Sequence, residues 1–286
     1  LSKARLTGVQ ALAAELRPGQ SIELLQALHI LTRDGKLNQD SRRKLKQVYH
    51  LYQFIEKILV ELAASDRPVT LADHGAGKSY LGFILYDLFF KGRLAGHIYG
   101  IEAREELVAK SRALASALGF ERMSFIASSV AEATDSNTLP AQIDVVTALH
   151  ACDTATDDAI QFGRQKRAKF MVLVPCCQAE VSRKLNLDKA RSLSRTPLAE
   201  LWRHPIHTRE LGSQLTNVLR CLYLEASGYQ VTVTELVGWE HSLKNELIIA
   251  RCVGDSGKSH AAKERLGALL AEFGLESLLE TRFTLT

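Results

Sequence analysis

The chain has 286 residues, 46% of them hydrophobic and 24% charged, the balance of a globular protein with a sizeable core. Its longest apolar stretch, residues 81–90, is interrupted by Gly82, Tyr86 and Asp87 and falls well short of the roughly 20 residues of a membrane helix. The formal net charge of +4 is compatible with an RNA partner but too weak to demand one. Five cysteines are an odd number, and Cys176 and Cys177 are adjacent, so they read as reduced thiols. With no basic-then-apolar segment at the start of the chain, the expected location is cytoplasmic.

Residues 1–64 read as helical. A first helix ends at Pro18-Gly19, and Ser21 is placed to cap the next, with Glu23 in its first turn at the positive dipole end. The capping-box position holds Leu24, so that signal is absent. Asp34-Gly35 marks a turn. Ser41 then reads as the cap of a long helix, on which Leu45, Val48, Leu51, Tyr52, Ile55, Ile58, Leu59 and Leu62 share one face. Asp66-Arg67-Pro68 breaks that pattern. The expected organisation is an N-terminal helical lid over 1–66, a main domain over 67–254, and a C-terminal helix and tail over 255–286.

From Val69 the rhythm changes. Strands are predicted at 69–73, 97–102, 123–127, 143–150, 170–175, 230–236 and 246–252. Helices are predicted at 79–90, 105–118, 156–165 and 197–227. Alternation of this kind predicts an α/β fold, a mostly parallel sheet covered on both faces. Only a hairpin-length gap separates the last two strands, so the last strand should run antiparallel.

The first strand runs into Asp73-His74-Gly75-Ala76-Gly77-Lys78 and then a helix. Gly75 and Gly77 can take positive φ and let a ligand approach the backbone. The helix start offers unsatisfied amides, as at nucleotide sites of open α/β sheets. A phosphate-binding loop ending Gly77-Lys78-Ser79 would need glycine at position 72, which is Ala. A dinucleotide loop would need a third glycine where Tyr80 stands. A plain tight turn is the remaining alternative.

Asp73, Gly75 and Gly77 meet the pattern acidic-x-Gly-x-Gly, which resembles motif I of the class I S-adenosylmethionine-dependent methyltransferases. The resemblance implies a Rossmann-like seven-stranded domain. It also implies a cofactor, S-adenosylmethionine, leaving as S-adenosylhomocysteine. Asp73 would orient its amino-acid end, with His74, Gly75, Ala76 and Gly77 lining it. Glu102, at the end of the second strand, is placed to accept both ribose hydroxyls, unless it is simply a surface acid. Ser129 and Val130, after the third strand, would flank the adenine.

Two later strand ends deliver His, Cys and Asp abruptly after apolar runs, as functional sites do. The fourth reads Leu149-His150-Ala151-Cys152-Asp153 and continues to Thr156-Asp157; the fifth ends Pro175-Cys176-Cys177-Gln178. These segments resemble the methyltransferase domain 32 family, with similar signatures in tRNA 2′-O-methyltransferases of the acceptor stem. Lys44-Leu45-Lys46-Gln47 and His241-Ser242-Leu243-Lys244-Asn245 fit its other motifs. Ser242, Asp153 and Gln178 depart from the pattern. The resemblance implies Lys46, Gln47, Cys176, Cys177, Gln178, His241 and Asn245 as acceptor-side residues, and His150 beside the cofactor.

Methyl transfer to a hydroxyl or amide-like nitrogen is helped by a base, and His150 and Asp153 are the candidates. His150 has an alternative as a structural imidazole. The cysteines read as packing residues, with nucleophilic roles for Cys176 or Cys177 as an alternative. Adjacent Cys176 and Cys177 suit one tetrahedral zinc poorly, so no metal is expected. RNA, whether tRNA or rRNA, is the leading acceptor. A protein acceptor, a non-catalytic cofactor-binding partner subunit and a nucleotide-dependent enzyme of another class are the alternatives. Arg42, Arg43, Lys44 and Lys46 could contact phosphates or simply be solvated. Trp202, Arg203, His204, His207 and Arg209 could form part of an acceptor wall. No membrane partner is expected, and the sequence carries no signal for an oligomeric state.

Overall fold

A computed structural model describes residues 15–65, 67–129, 138–149, 151–175, 178–187, 197–236 and 246–285. Its strands are β1 Thr70–His74, β2 His97–Glu102, β3 Met123–Ala127, β4 Val145–Ala148, β5 Phe170–Leu173, β6 Tyr229–Glu235 and β7 Glu246–Cys252. They make a seven-stranded sheet in the order β3-β2-β1-β4-β5-β7-β6. The α/β expectation is met. β1, β2 and β3 pair in parallel, as do β4 and β5, and β7 runs antiparallel to both β5 and β6. By contact density the chain forms two compact units, divided after Ser129.

In the first unit, α1 spans Ile22–Ala27 and α2 spans Gln39–Ala63. The Ser21 hydroxyl accepts from the Leu24 amide at 3.1 Å, the cap expected. Ser41 is not the cap of α2. Asn38 is: its side chain accepts from the Ser41 amide at 2.7 Å, which places Ser41 inside the helix, buried. Asparagine caps as well as serine does, and it stands one turn earlier. The predicted apolar face is buried at all eight positions.

The N-terminal helices are anchored to the segment after β1. That segment is α3, Tyr80–Leu85, continued by a π-helical turn, Tyr86–Phe90. The Ser21 amide donates to Asp87 Oδ2 at 2.7 Å, and the Tyr52 hydroxyl donates to the Leu88 carbonyl at 3.4 Å. The Arg17 guanidinium lies over the Tyr52 ring at 4.5 Å. Phe83, Tyr86, Phe120 and Phe125 form an aromatic cluster. α4, Glu105–Ala117, packs on β2 and β3. Arg112 donates twice to the Phe125 carbonyl, at 2.6 and 3.1 Å, and so covers part of the exposed edge of β3.

In the second unit, α5 spans Ala155–Gln165 and α6 spans Glu180–Leu187. The single helix predicted over 197–227 is divided into a 3₁₀ turn, Pro197–Trp202, and α7, Pro205–Ala226. Pro205 lacks the amide that would continue the turn and suits the first helical position. Helix α6 was not predicted at all. It crosses α7 closely at Gly212, where a Cβ would come within 2.2 Å of Ser182 Oγ. The chain closes with α8, Gly257–Glu272, packed on α7, and the short α9, Leu278–Thr281.

The C-terminal residues are part of this packing. Phe283 is buried against the Tyr223 ring, Arg282 pairs with Glu180 at 2.9 Å, and Arg164 donates to the Thr284 carbonyl at 2.9 Å. Among the described residues, no helix is long and apolar enough to cross a membrane.

Candidate functional site

The glycine loop of the first unit begins in the core. Asp73 and His74 are buried at the end of β1, and the His74 ring is wholly enclosed. Burial holds that imidazole down to about 3, so it is neutral at ordinary pH. Of the residues expected to line a cofactor, His74 is therefore the floor of the loop, while Gly75, Ala76 and Gly77 reach its surface.

The backbone then turns sharply. Gly75 and Gly77 have φ of 61° and 57°, and Ser79, before α3, has φ of 51°. The Ala76 amide donates to the Ile101 carbonyl at 3.1 Å, and the Ser79 amide to the Ala76 carbonyl at 2.6 Å, which pins the loop to β2. Above Gly77 there is room: a Cβ there would meet nothing closer than Arg104 Nη2 and the Gly75 carbonyl, both at 3.9 Å. The glycine thus bares backbone to that space, as a loop that cradles a ligand must. This is the observation by which the loop fits S-adenosylmethionine.

Glu102 stands at the end of β2, one strand over. Its Oε2 accepts from the Gly77 amide at 2.8 Å, so loop and carboxylate form one structure. The Arg104 side chain and amide also bind it, at 2.8 and 3.1 Å. Burial would raise the carboxyl, but the Arg104 and Gly77 donors outweigh it and hold it below the usual range. The end of β3 is tied in as well, through the Ser128 amide to the Glu102 carbonyl at 3.2 Å. Ser129 is exposed; Val130 lies outside the described residues. On α2, Lys46 is exposed and Gln47 half-buried.

In the second unit the strand ends are held by a polar network that was not among the sequence expectations. Arg220, on α7, is 1% exposed. It pairs with both oxygens of Asp157, at 2.7 and 2.9 Å, and donates to the Asp153 carbonyl at 2.7 Å and to Asn217 Oδ1 at 3.3 Å. Asn217 in turn accepts from Gln178 Nε2 at 2.8 Å and donates to Glu246 Oε2 at 2.6 Å. Ser213 donates to Gln178 Oε1 at 2.6 Å. The segments after β4 and β5, helix α7 and the start of β7 are thereby locked together. A sequence signal did exist. A lone arginine inside the apolar run 218–224 needs a partner if it is buried, and an acid is the natural one.

Asp153, expected as a base, is engaged otherwise. Its φ is 51°. Oδ1 accepts from the amides of Ala179 and Glu180, at 2.9 and 3.2 Å, and Oδ2 from Arg183 at 3.3 Å. It therefore caps α6 from the neighbouring segment. Burial would raise its pKa, but the two amides and Arg183 outweigh that and hold it below the usual carboxylate range. Such a group is a poor proton acceptor at neutral pH. Gln178, expected on the acceptor side, has both ends of its amide bound within the protein.

His150, Cys176, Cys177, His241 and Asn245 lie outside the described residues. Arg203, His204, His207 and Arg209 are exposed around the start of α7. The described cysteines form no disulfide with one another. Burial and the nearby Glu246 and Glu225 push the Cys221 thiol up to about 12, which makes it inert. No cluster of three or more metal-ligating side chains occurs among the described residues.

Comparison with known proteins gives one family, one curated relative and a set of solved structures. Residues 43–184 match the family Methyltransf_32, described as a methyltransferase domain. A mouse (Mus musculus) glutathione S-transferase C-terminal domain-containing protein is 25% identical over 166 residues. The match covers 57% of this chain but only 24% of the mouse protein, so the chain spans about a quarter of that relative's length. Among solved structures, the Podospora anserina methyltransferase PaMTH1 bound to S-adenosylhomocysteine aligns at TM-score 0.47 and 12% identity, over 89% of this chain and 98% of that one. An rRNA methylase from Streptococcus thermophilus aligns at TM-score 0.39 and 9% identity, over 65% and 88%.

Proposed function

We propose that this chain, a class I S-adenosylmethionine-dependent methyltransferase whose residues 43–184 belong to a methyltransferase domain family, methylates RNA. The cofactor supplies an electrophilic methyl carbon on a sulfonium sulfur. In this reading Gly75, Ala76 and Gly77 admit it to the loop backbone, Asp73 orients its amino-acid end, and Glu102 takes its ribose. Ser129 and Val130 flank the adenine. The bareness of Gly77 beside the Glu102 carboxylate is the observation that carries the site.

Transfer needs an acceptor oxygen or nitrogen in line with the methyl carbon. The new bond forms as the carbon–sulfur bond breaks, and the acceptor's proton leaves to a base. Positioning supplies much of such an acceleration. We assign proton removal to His150, because Asp153 already spends its carboxylate on α6. The Arg220 network keeps the segments after β4 and β5 in one arrangement, with Gln178 fixed by Asn217 and Ser213.

The RNA acceptor is supported by the basic face of α2. Arg42, Arg43, Lys44 and Lys46 are all exposed there, and Arg42 is engaged by Glu15 at 2.8 Å. That leaves three cations facing solvent within one and a half turns, each able to neutralise a phosphate. Labelled methyl donor incubated with total RNA and total protein from cells lacking the enzyme tests the proposal. Label in RNA, reduced when Arg43, Lys44 and Lys46 are replaced by glutamine, is expected. Label in protein alone would refute it.

A further inference from the structure

Glu102 carries four N–H donors on its two oxygens. Oε1 accepts from the Arg104 amide at 3.1 Å and from Arg104 Nε at 2.8 Å. Oε2 accepts from the Gly77 amide at 2.8 Å and from Arg104 Nη2 at 3.4 Å. A carboxylate offers about four lone-pair positions, so this one is full. A ribose diol brings two hydroxyl donors and needs two of those positions.

The two amides cannot leave easily. Gly77 is held between the Ala76 bond to Ile101 of β2 and the Ser79 bond back to Ala76, and the Arg104 amide is fixed at the start of α4. The guanidinium is different. The Arg104 side chain is 64% exposed while that of Glu102 is 9% exposed, and its Nη2 bond is the longest of the four. Arg104 Nη2 also stands over the glycine loop: it is one of the two atoms, each at 3.9 Å, that a Cβ on Gly77 would meet.

We infer that Arg104 is a latch on the ribose site: its two guanidinium bonds to Glu102 are exchanged for the two ribose hydroxyls, so that Arg104 sets cofactor affinity. The inference rests on the assignment of Glu102 to the ribose. The exchange is two donors for two donors, and the two backbone amides keep the carboxylate aimed throughout. What changes is the loss of one ion pair whose guanidinium side is exposed, a modest penalty.

Calorimetry with S-adenosylhomocysteine, which has no net charge at neutral pH, tests this without any acceptor. Arg104→Ala and Arg104→Gln should each bind it about threefold more tightly, the scale of an exposed ion pair. Affinity of the unaltered protein should rise between about 0.05 M and about 0.5 M salt, which screens the pair, and that rise should vanish in both variants. Unchanged or weaker binding in both variants overturns the latch. Glu102→Ala in the same assay separates the two ideas. If it loses affinity more than roughly tenfold while the Arg104 variants fail to gain, the latch falls and the ribose assignment stands. If it loses none, the ribose assignment falls and the latch with it.

Discussion

The glycine loop and the Arg220 network both hold polar groups at strand ends, but they are built from different material. The loop is made of consecutive residues and backbone conformation: buried Asp73 and His74, then glycines at positive φ, with one carboxylate from the next strand. The network is made of side chains from positions 157, 178, 213, 217, 220 and 246, with the backbone carbonyl of Asp153, which meet only in the folded unit. A site of the first kind tolerates changes to its neighbours and is sensitive at its glycines. One of the second kind fails when any member is removed, because each loss leaves a buried polar group unmatched.

The largest expected effect follows directly. Arg220→Ala takes both side-chain donors from Asp157 and one from the Asp153 carbonyl, and leaves Asn217 Oδ1 with Gln178 alone. Breaking a buried pair from one side is worth about 3–5 kcal/mol. Urea unfolding should show a loss of that size, and Arg220→Met with Asp157→Leu should recover much of it. A loss below about 1 kcal/mol would mean the network is no more than a surface pair, and the contrast with the loop would collapse.

His74 gives the next effect. Its folded-state value of about 3 lies below the ordinary 6.5, so the unfolded chain takes up a proton first as pH falls. The stability contributed by the neutral ring is full above about pH 6.5 and declines toward pH 3. Between about pH 6.5 and pH 5 the loss should be about 2 kcal/mol. His74→Gln should flatten that slope. An equal slope in both proteins would place the sensitivity elsewhere.

Gly77→Ala is a smaller change in stability and a sharper probe of function. An alanine at φ 57° is strained by about 1 kcal/mol, while its Cβ meets nothing closer than 3.9 Å within the protein. Thermal melting should record only that strain. If the proposed cofactor approaches over Gly77, affinity for S-adenosylhomocysteine should fall by roughly tenfold or more, because the added methyl group would stand in its way. Affinity falling no further than stability would remove the loop from the cofactor's path.

How much of this was readable beforehand follows the same division. Strands β2, β3 and β7 were legible to the residue, the antiparallel end of the sheet was legible too, and the glycine loop was placed within a residue of the end of β1, since local alternation and local motif decide them. The cap at Ser21 was also legible, while that at Asn38 was misplaced by three residues because Ser41 is an equally good capping residue. Helix α6 buries only Val181 and Leu185 of its apolar residues, too short a period to stand out, and it is completed by a cap from Asp153 that lies 26 residues away from Ala179. Arg104 was missed because its meaning depends on counting donors at Glu102, which only distances can supply.

Asp153 offers the finest distinction between the two regions. The sequence read it as a base from its position after β4; the structure shows its carboxylate bound to two helix amides and an arginine. Asparagine is an equally good capping residue, so Asp153→Asn should keep α6 and lose only the charge toward Arg183 and the helix dipole, about 0.5 kcal/mol. If Asp153 positions the segment, methyl transfer to total RNA should stay within roughly threefold, and cofactor affinity should not move. If it removes the acceptor's proton, the same variant should lose about 100-fold in rate with its stability intact. The neutral isostere separates these outcomes where alanine would not. Alanine removes cap and base together, whereas asparagine keeps the cap and removes the charge and the capacity to take a proton.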